Sequence, residues 1–456
     1  MALTSEESAK LNATLESCAS TAELAERLLT SFNNGGVQNP DLAVLESTVE
    51  QYADSAVTTH NASAAAHSAM KSDAVNSSSS STVATSKAVK TAYDLAASKT
   101  SQAYTMYVDA ANGSDSNDGS SWAKAKKSIM NAYMAYCAMH CQNIYQVMFL
   151  HVAAGTYTEN ANVTLRGEDG LVLELYGDTT IVGGISCAYS QFTARKAAAA
   201  TAASASLTVT GNCGVDNGTF SLADLSTFTC QSLTVSNNSV ATISVPVTLH
   251  GNVRVLGGSV LYVNGTMVLD GSEYDSTSSY PVALQVGKGS RVETSQPVII
   301  SGHYSMGIKV ESKSMFTQGA AVSVNIDYSA GYGLIQASTG LYHRQAGTLS
   351  LSGASHYMLN ASRSGEILFD GTDSIALDGT TVAVVAAYLF GKVTRGGSAA
   401  FTSPNGVTGK RFEISLGGAV QTQSGGLHIF PGSTDGTVDG VVITAAGMGT
   451  NGSSYY

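Results

Sequence analysis

The sequence predicts a mainly β chain whose body is a parallel β-solenoid, preceded by an α-helical stalk. From about residue 206 to 377, short runs of alternating apolar residues are separated by Gly, Asn, Asp or Ser turns, as in SLTVSNNSVATISVPVTLHGNVRVLGGSVLYVNGTMVLDG. Strands this short leave no room for crossover helices, which excludes a doubly wound sheet. A longer period lies above the strand spacing. The segments LQVGKGSRV, IKVESKSMF, LIQASTGLY and LNASRSGEIL superimpose with Ser290, Ser314, Gly340 and Ser364 in register, giving steps of 24, 26 and 24 residues. Coils of that length, each bonded only to the coils above and below, define a solenoid. Composition agrees: charged residues are 12% of the chain, against about 25% in ordinary globular domains, and Gly, Ser, Thr, Asn and Ala take their place.

The 456 residues carry a formal net charge of −11, which argues against nucleic acid as a partner. No apolar run approaches the roughly 18 residues of a membrane span, so no membrane insertion is expected. The N-terminus, MALTSEESAKLNATLES, lacks a basic segment followed by an apolar one, so no signal peptide is expected and release by lysis inside a particle is one route out of the cell. The cysteines form no C-x-x-C pair. Cys137, His140 and Cys141 fall at i, i+3 and i+4 of a helix, a spacing that suits a metal, but small buried hydrophobes explain the two thiols without one.

Residues 1–60 read as helical. Leu11, Leu15, Cys18, Ala22, Ala25, Leu29 and Phe32 keep a 4-3-4-3-4-3 spacing, the seam of a coiled coil, and Gly35-Gly36 breaks it. Asn39-Pro40 restarts a helix with Leu42, Leu45, Val49, Tyr52 and Ala56 on its seam. An antiparallel hairpin docking on another protein fits the same pattern. His60 and His67 stand one heptad apart, just off that seam, where a solvated or capping role is favoured over a metal ring.

Residues 61–105 form a Ser- and Ala-rich linker. Within it, HNASAAAHSAM (60–70) resembles a short motif of bacteriophage fibre proteins. SSTVATSKAVKTAYDLA (80–96) resembles the phage tail-fibre repeat, through Lys87, Ala88, Val89, Lys90, Ala92, Tyr93, Asp94, Leu95 and Ala96. Val89, Ala92 and Ala96 would make a narrow apolar stripe suited to packing around a three-fold axis.

Residues 106–400 are assigned to the solenoid. MYVDAANGSDSNDGSSWAKAKKSIMNAY (106–133) resembles the opening of right-handed parallel β-helix proteins, which implies that fold here. A solenoid must cover its apolar interior at each end, and a helix over about 124–140, with Ile129, Tyr133, Tyr136 and Cys137 on one side, serves as the stopper. The acidic loop before it offers hard oxygens for calcium at Asp115, Asn117 and Asp118, or an Asx-turn network that ties the loop down. VMFLHVAAGTYTEN (147–160) reads as the first full coil. The Ala-rich QFTARKAAAATAASA (191–205) reads as an insertion or short external helix. Residues 401–456 are assigned to a C-terminal trimerisation cap, because GKRFEISLGGAVQTQSGGLHIFPGSTDGTVDG (409–440) resembles the ends of phage-like β-helix fibres. The apolar TVAVVAAYLF (381–390) is expected to be buried between subunits.

These resemblances imply a homotrimeric fibre of the virion, attached through its N-terminus to a baseplate, tail or capsid protein and binding a host surface glycan. Amphipathic tyrosines of the middle and late coils are the candidate sugar platforms, chiefly Tyr304, Tyr328, Tyr332 and Tyr342. A depolymerase is the alternative. Hydrolysis would need paired carboxylates, for which Glu273 with Asp275 beside Asp270, and Glu366 with Asp370 near Asp373 and Asp378, are candidates. Most of these sit in Asp-Gly turns, which explains them without chemistry. A decorative fibre without a receptor is a third possibility.

Overall fold

The computed structural model describes residues 104–140, 147–159, 163–166, 170–274, 282–326, 333–370, 374–396, 399–422, 429–438 and 441–443, and towards the N-terminus 50–59, 71–72 and 83–101 with a few single positions. The chain divides into two units, 1–102 and 103–456.

In the first unit, residues 50–59 are helical with Tyr52 and Val57 exposed. The heptad positions from Leu11 to Val49, and both His60 and His67, lie outside the described residues. A short parallel pairing of Lys71–Ser72 with Val83–Ala84 precedes helix α1 (Ser86–Ser101). The Thr85 hydroxyl accepts the Ala88 N–H at 3.1 Å, satisfying a donor at the open end of the helix. Lys90 and Asp94, one turn apart, pair at 2.8 Å. Val89, Ala92 and Tyr93 are exposed, so the predicted stripe is uncovered as far as it is described.

In the second unit each coil runs through three short strands, and the coils stack as three parallel ladders. The first ladder is a 13-stranded sheet from Tyr104–Val108 to Ala419–Thr422. At about 4.8 Å between strands, 13 levels span about 58 Å. The other two ladders form one 22-stranded sheet, because Leu349–Ser362 and Ser374–Tyr388 run unbroken across the corner between them. Alternation decides what goes inside: Val253 and Val255 are buried and Arg254 between them is exposed. Register then places like on like. Phe192 lies under Phe220 with ring centroids 5.1 Å apart, and Phe316 under Tyr342 at 5.3 Å.

The corner leading from the third ladder back to the first has its own column. Ser239, Ser259, Ser290 and Ser314 are all buried there. Each hydroxyl accepts an N–H from the preceding coil: Gly218 to Ser239 at 3.2 Å, then Ser239 to Ser259, Ser259 to Ser290 and Ser290 to Ser314, each at 3.1 Å. The coil lengths spanned by these bonds are 21, 20, 31 and 24 residues, so the corner holds its place while the loops elsewhere change length. The chain reaches the column through residues at positive φ, for example Asn237 and Asn238, Gly257 and Gly258, and Arg363 and Ser364. Asn and Gly tolerate that conformation best.

Several expectations need correction. Leu341 pairs with Glu366, which sets Gly365 rather than Ser364 above Gly340. The Arg363-Ser364 corner carries one residue more than the corner at Thr339, so the period slips there. Residues 191–196 are not an external insertion but a strand of the first ladder, with Phe192 and Ala194 fully inside. The 381–390 stretch is mostly covered within one chain: Val384, Val385 and Ala387 join the main core, and Ala383 and Ala386 pack under Tyr357. Val382, Leu389 and Phe390 remain exposed. The stack also continues past residue 400, since Val407–Ser415 pairs with Ser374–Tyr388 and Ala419–Thr422 with Lys392–Arg395. It ends where Phe430 packs edge-on to Phe401 at 4.7 Å and Gly436–Val438 folds back on Val441–Ile443 as an antiparallel pair.

At the opposite end, helix α2 (Ile129–His140) buries Ile129, Ala132, Tyr133 and Tyr136 in the same core as Met106, Val108 and Met148. It starts later than the sequence indicates, because a single turn at Trp122–Lys124 precedes it. Two carboxylates take its unpaired N–H groups. Asp115 accepts from Lys127 at 3.1 Å and Ser128 at 3.0 Å, and Glu159 from Ile129 at 2.8 Å and Met130 at 3.2 Å.

Ser259→Ala would leave the buried Ser239 N–H and Leu256 carbonyl without their partner. A loss of about 1–3 kcal/mol is expected from denaturant unfolding, and an unchanged midpoint would show that the hydroxyl column does not hold the coils. Burial pushes the Asp115 pKa up, but hydrogen bonds from Ser128, Asn131 and Lys127 outweigh it and hold it below the ordinary value. Its stabilisation is therefore full above the unfolded carboxylate range and lost as pH falls through the lowered value. Glu159 runs the other way: burial outweighs its two amide bonds and raises its pKa, so it disfavours the fold as pH rises through that value. Asp115→Asn should flatten the fall in stability below about pH 4, read by thermal unfolding across pH; an unchanged acid limb would rule this out.

Candidate functional site

The outer face of the third ladder is built by the same alternation. In LQV, IKV, IQA and LNA the middle residue points outward, so Gln285, Lys309, Gln336 and Asn360 stand one above another. Two residues further along, Glu311, Ser338, Ser362 and Tyr388 form a second column. Where Leu349–Ser362 crosses the corner, His356 and Tyr357 stand beside these columns. From Lys309 and Glu311 onward these residues line a groove of about 580 Å³, joined by Arg363.

Its lysine and its carboxylate compensate each other, and Arg363 adds a second cation to the lining. Lys309 Nζ lies 2.8 Å from Glu311 Oε2, and Gln285 Nε2 donates to Glu311 Oε1 at 2.6 Å. Burial raises the Glu311 pKa, but Lys309 and Gln285 outweigh it, so the carboxyl stays ionised below its ordinary range. The Tyr388 hydroxyl donates to the Tyr357 hydroxyl at 2.5 Å. Burial pushes both phenols up, and Tyr388 further through Tyr357 and Glu413, so both are neutral hydrogen-bonding groups at physiological pH. Gln336 Oε1 is buried and no protein atom bonds to it. Amides, hydroxyls, two phenols and the cations Lys309 and Arg363 match the hydroxyls and ring faces of sugars. Hydrolysis of a glycoside needs two carboxyl groups, one of them an acid of raised pKa. The lining holds Glu311 alone, with its pKa lowered, which suits binding.

The residues singled out in the sequence fall elsewhere. Tyr304 and Tyr342 are fully buried inside the solenoid, so their rings cannot meet a sugar. Tyr304 donates to the Gly251 carbonyl at 2.6 Å, and Tyr342 stacks on Phe316 and bonds to Gln318. Tyr328, Tyr332, Asp275 and Asp373 lie outside the described residues. Glu273 is exposed beyond the strand Met267–Gly271, and Asp270 accepts the Ser272 N–H at 3.0 Å in a local turn. Glu366 pairs with Lys392 at 3.2 Å and Asp370 with His343 at 2.8 Å. Four residues of extended chain separate these two carboxylates by about 13 Å, beyond the reach of a hydrolytic pair. Asp378 stacks on Ser352 in the second ladder, a different face, and accepts the Asn405 N–H at 2.9 Å.

The acidic loop is a hydrogen-bonded network. Asp118 accepts from the Ser120 N–H and hydroxyl, while the Asn117 amide donates to the Ala125 carbonyl. The carbonyls of Asp115 and Asn117 converge on Lys126 Nζ at 3.0 and 2.6 Å. Among the described residues, no group of three or more His, Cys, Asp or Glu could hold a metal ion. Cys137 packs half-buried against the core. The groove residues missed in the sequence, Lys309, Gln336 and Asn360, share one outward column of the third ladder, but the register set by Ser314, Gly340 and Ser364 places Ile335 and Leu359 opposite Lys309, because the corner at Thr339 is one residue shorter than that at Ser312-Lys313.

Upstream of the solenoid, the strand pair at 71–72 and 83–84 and helix α1 form a compact motif. Residues 72–103 match the phage tail fibre repeat. The repeat covers α1 and the turn that caps it. No curated protein and no solved structure matches the chain. No described helix is long and apolar enough to cross a membrane.

Proposed function

We propose that this chain is a receptor-binding fibre of a phage or phage-derived particle, and that the groove over Lys309, Gln336, Asn360 and Tyr388 takes a bacterial surface glycan. The tail fibre repeat at 72–103 carries the first half of this reading. The second half rests on the uncapped Gln336 oxygen in a polar, tyrosine-lined groove. Residues 1–60 serve as the attachment to the virion, and three copies assemble in parallel. Support for the trimer comes from the exposed Val89 and Ala92 of α1 and from Leu389 and Phe390, which one chain leaves uncovered. Shallow grooves bind sugars weakly, and many fibres on one particle raise the avidity.

The purified protein should bind host cells and compete with particle adsorption without releasing reducing ends or unsaturated sugars from the host glycan. Release of either would turn the reading to a depolymerase. Asn360→Ala combined with Lys309→Ala should weaken cell binding at least tenfold with the fold intact by circular dichroism, and unchanged binding would remove the groove from consideration. Sedimentation equilibrium should give the mass of three chains; a stable monomer would end the trimer proposal.

A further inference from the structure

A second recess lies on the corner column, nearer the N-terminal cap. It has a volume of about 310 Å³ and is lined by Tyr189, Ser190, Gln191, Asn217 and Asn238, with Val240 at its edge. None of its lining residues is charged. Its floor breaks the rule of the serine column. Ser239 and Ser259 each accept an N–H from the preceding coil and donate to a carbonyl of their own turn, Ser236 at 2.5 Å and Leu256 at 2.7 Å. Ser190 stands in the same column and is only 2% exposed, yet no protein atom bonds to its Oγ. A buried hydroxyl left so is costly unless a ligand completes it.

The space over it exists because Gly218 follows Ser190 in the column. A Cβ at Gly218 would come within 2.3 Å of the Ser190 carbonyl, so this coil approaches closely and brings no side chain with it. Beside the opening, Tyr189 is 62% exposed and held at φ 55, an uncommon conformation for an aromatic residue. Asn217 and Asn238 flank it, also at positive φ. Asp216, the nearest carboxylate in sequence, is already engaged by Asn237 Nδ2 at 2.5 Å. An exposed ring, uncharged amides and a buried free hydroxyl make up the chemistry that recognises a neutral pyranose: its apolar face lies on the ring and its hydroxyls meet the amides.

We propose that this recess is a separate subsite for an uncharged sugar unit, with Tyr189 as its platform and Ser190 as its buried hydrogen-bonding group. The proposal rests on the glycan reading and adds to it. The recess and the groove share one edge, five strand spacings or about 24 Å apart, so one polymer chain laid along that edge meets both.

The full-length protein should be probed on an array of neutral and uronic-acid-containing bacterial oligosaccharides, and then titrated calorimetrically with the best neutral binder. Ser190→Ala removes the unpaired hydroxyl, so it should leave the thermal midpoint unchanged or higher while weakening the neutral sugar about tenfold. Tyr189→Asn keeps a residue at ease with positive φ and should weaken it at least as much. A raised midpoint with unchanged affinity in Ser190→Ala would show a merely structural orphan and overturn the subsite. Absence of any neutral binder on the array, or binding that only the Lys309 and Asn360 changes reduce, would overturn it too. If the purified fibre fails to adsorb to cells while array binding falls in the Tyr189 and Ser190 variants, the receptor reading fails and the subsite stands.

Discussion

The whole second unit depends on one constraint: every coil must present its backbone N–H and C=O groups in register to the coil above and below. Parallel pairing fixes which residue lies on which, so a position is defined by its column as much as by its neighbours in sequence. Inside, columns of Leu, Val, Ile and Phe stack like on like. Outside, the same rule assembles a polar groove from residues more than twenty positions apart in the chain. Parallel strands expose their unpaired edges only at the two ends, which is why the ends carry the irregular elements: α2 at one, an antiparallel pair with Phe430 at the other.

Polar groups buried along this stack are tolerable because each is answered by the next coil. The serine column and the carboxylates on the first turn of α2 are both of this kind. Ser190 and Gln336 depart from it where the surface is concave, as do the hydroxyls of Thr294 and Thr317 within strands of the first ladder. What sets Ser190 and Gln336 apart is that their unused hydrogen-bonding capacity borders a recess.

The solenoid was legible in the sequence because alternation and turns repeat at every coil, and because the Ser290 and Ser314 alignment follows the true column. It failed by one residue at Ser364, where a corner changed length without changing its chemistry. The site was less legible. An amphipathic tyrosine suits a sugar platform or the solenoid interior alike, and the parity of LYHR decides: it puts Tyr342 on the inward side with Phe316 and Ile367. Carboxylates can align on neighbouring coils only within one ladder, and Glu366 and Asp378, twelve positions apart, belong to different faces. The Gln285–Lys309–Gln336–Asn360 column was hidden because the corner at Thr339 is one residue short, which shifts Gln336 and Asn360 by one position against Lys309 when the corners are aligned on Ser314, Gly340 and Ser364.

The two carboxylates that hold α2 come from opposite directions along the chain. Asp115 precedes the helix, but Glu159 follows it, beyond the first strand of the first complete coil. A ribosome therefore delivers the helix before it delivers the group that anchors its start. The lid cannot be locked until the next wall has risen, and each later coil then meets a finished edge on which to pair. Synthesis from the N-terminus and an anchor split between Asp115 before the helix and Glu159 after it together favour growth of the stack from the sealed end outward.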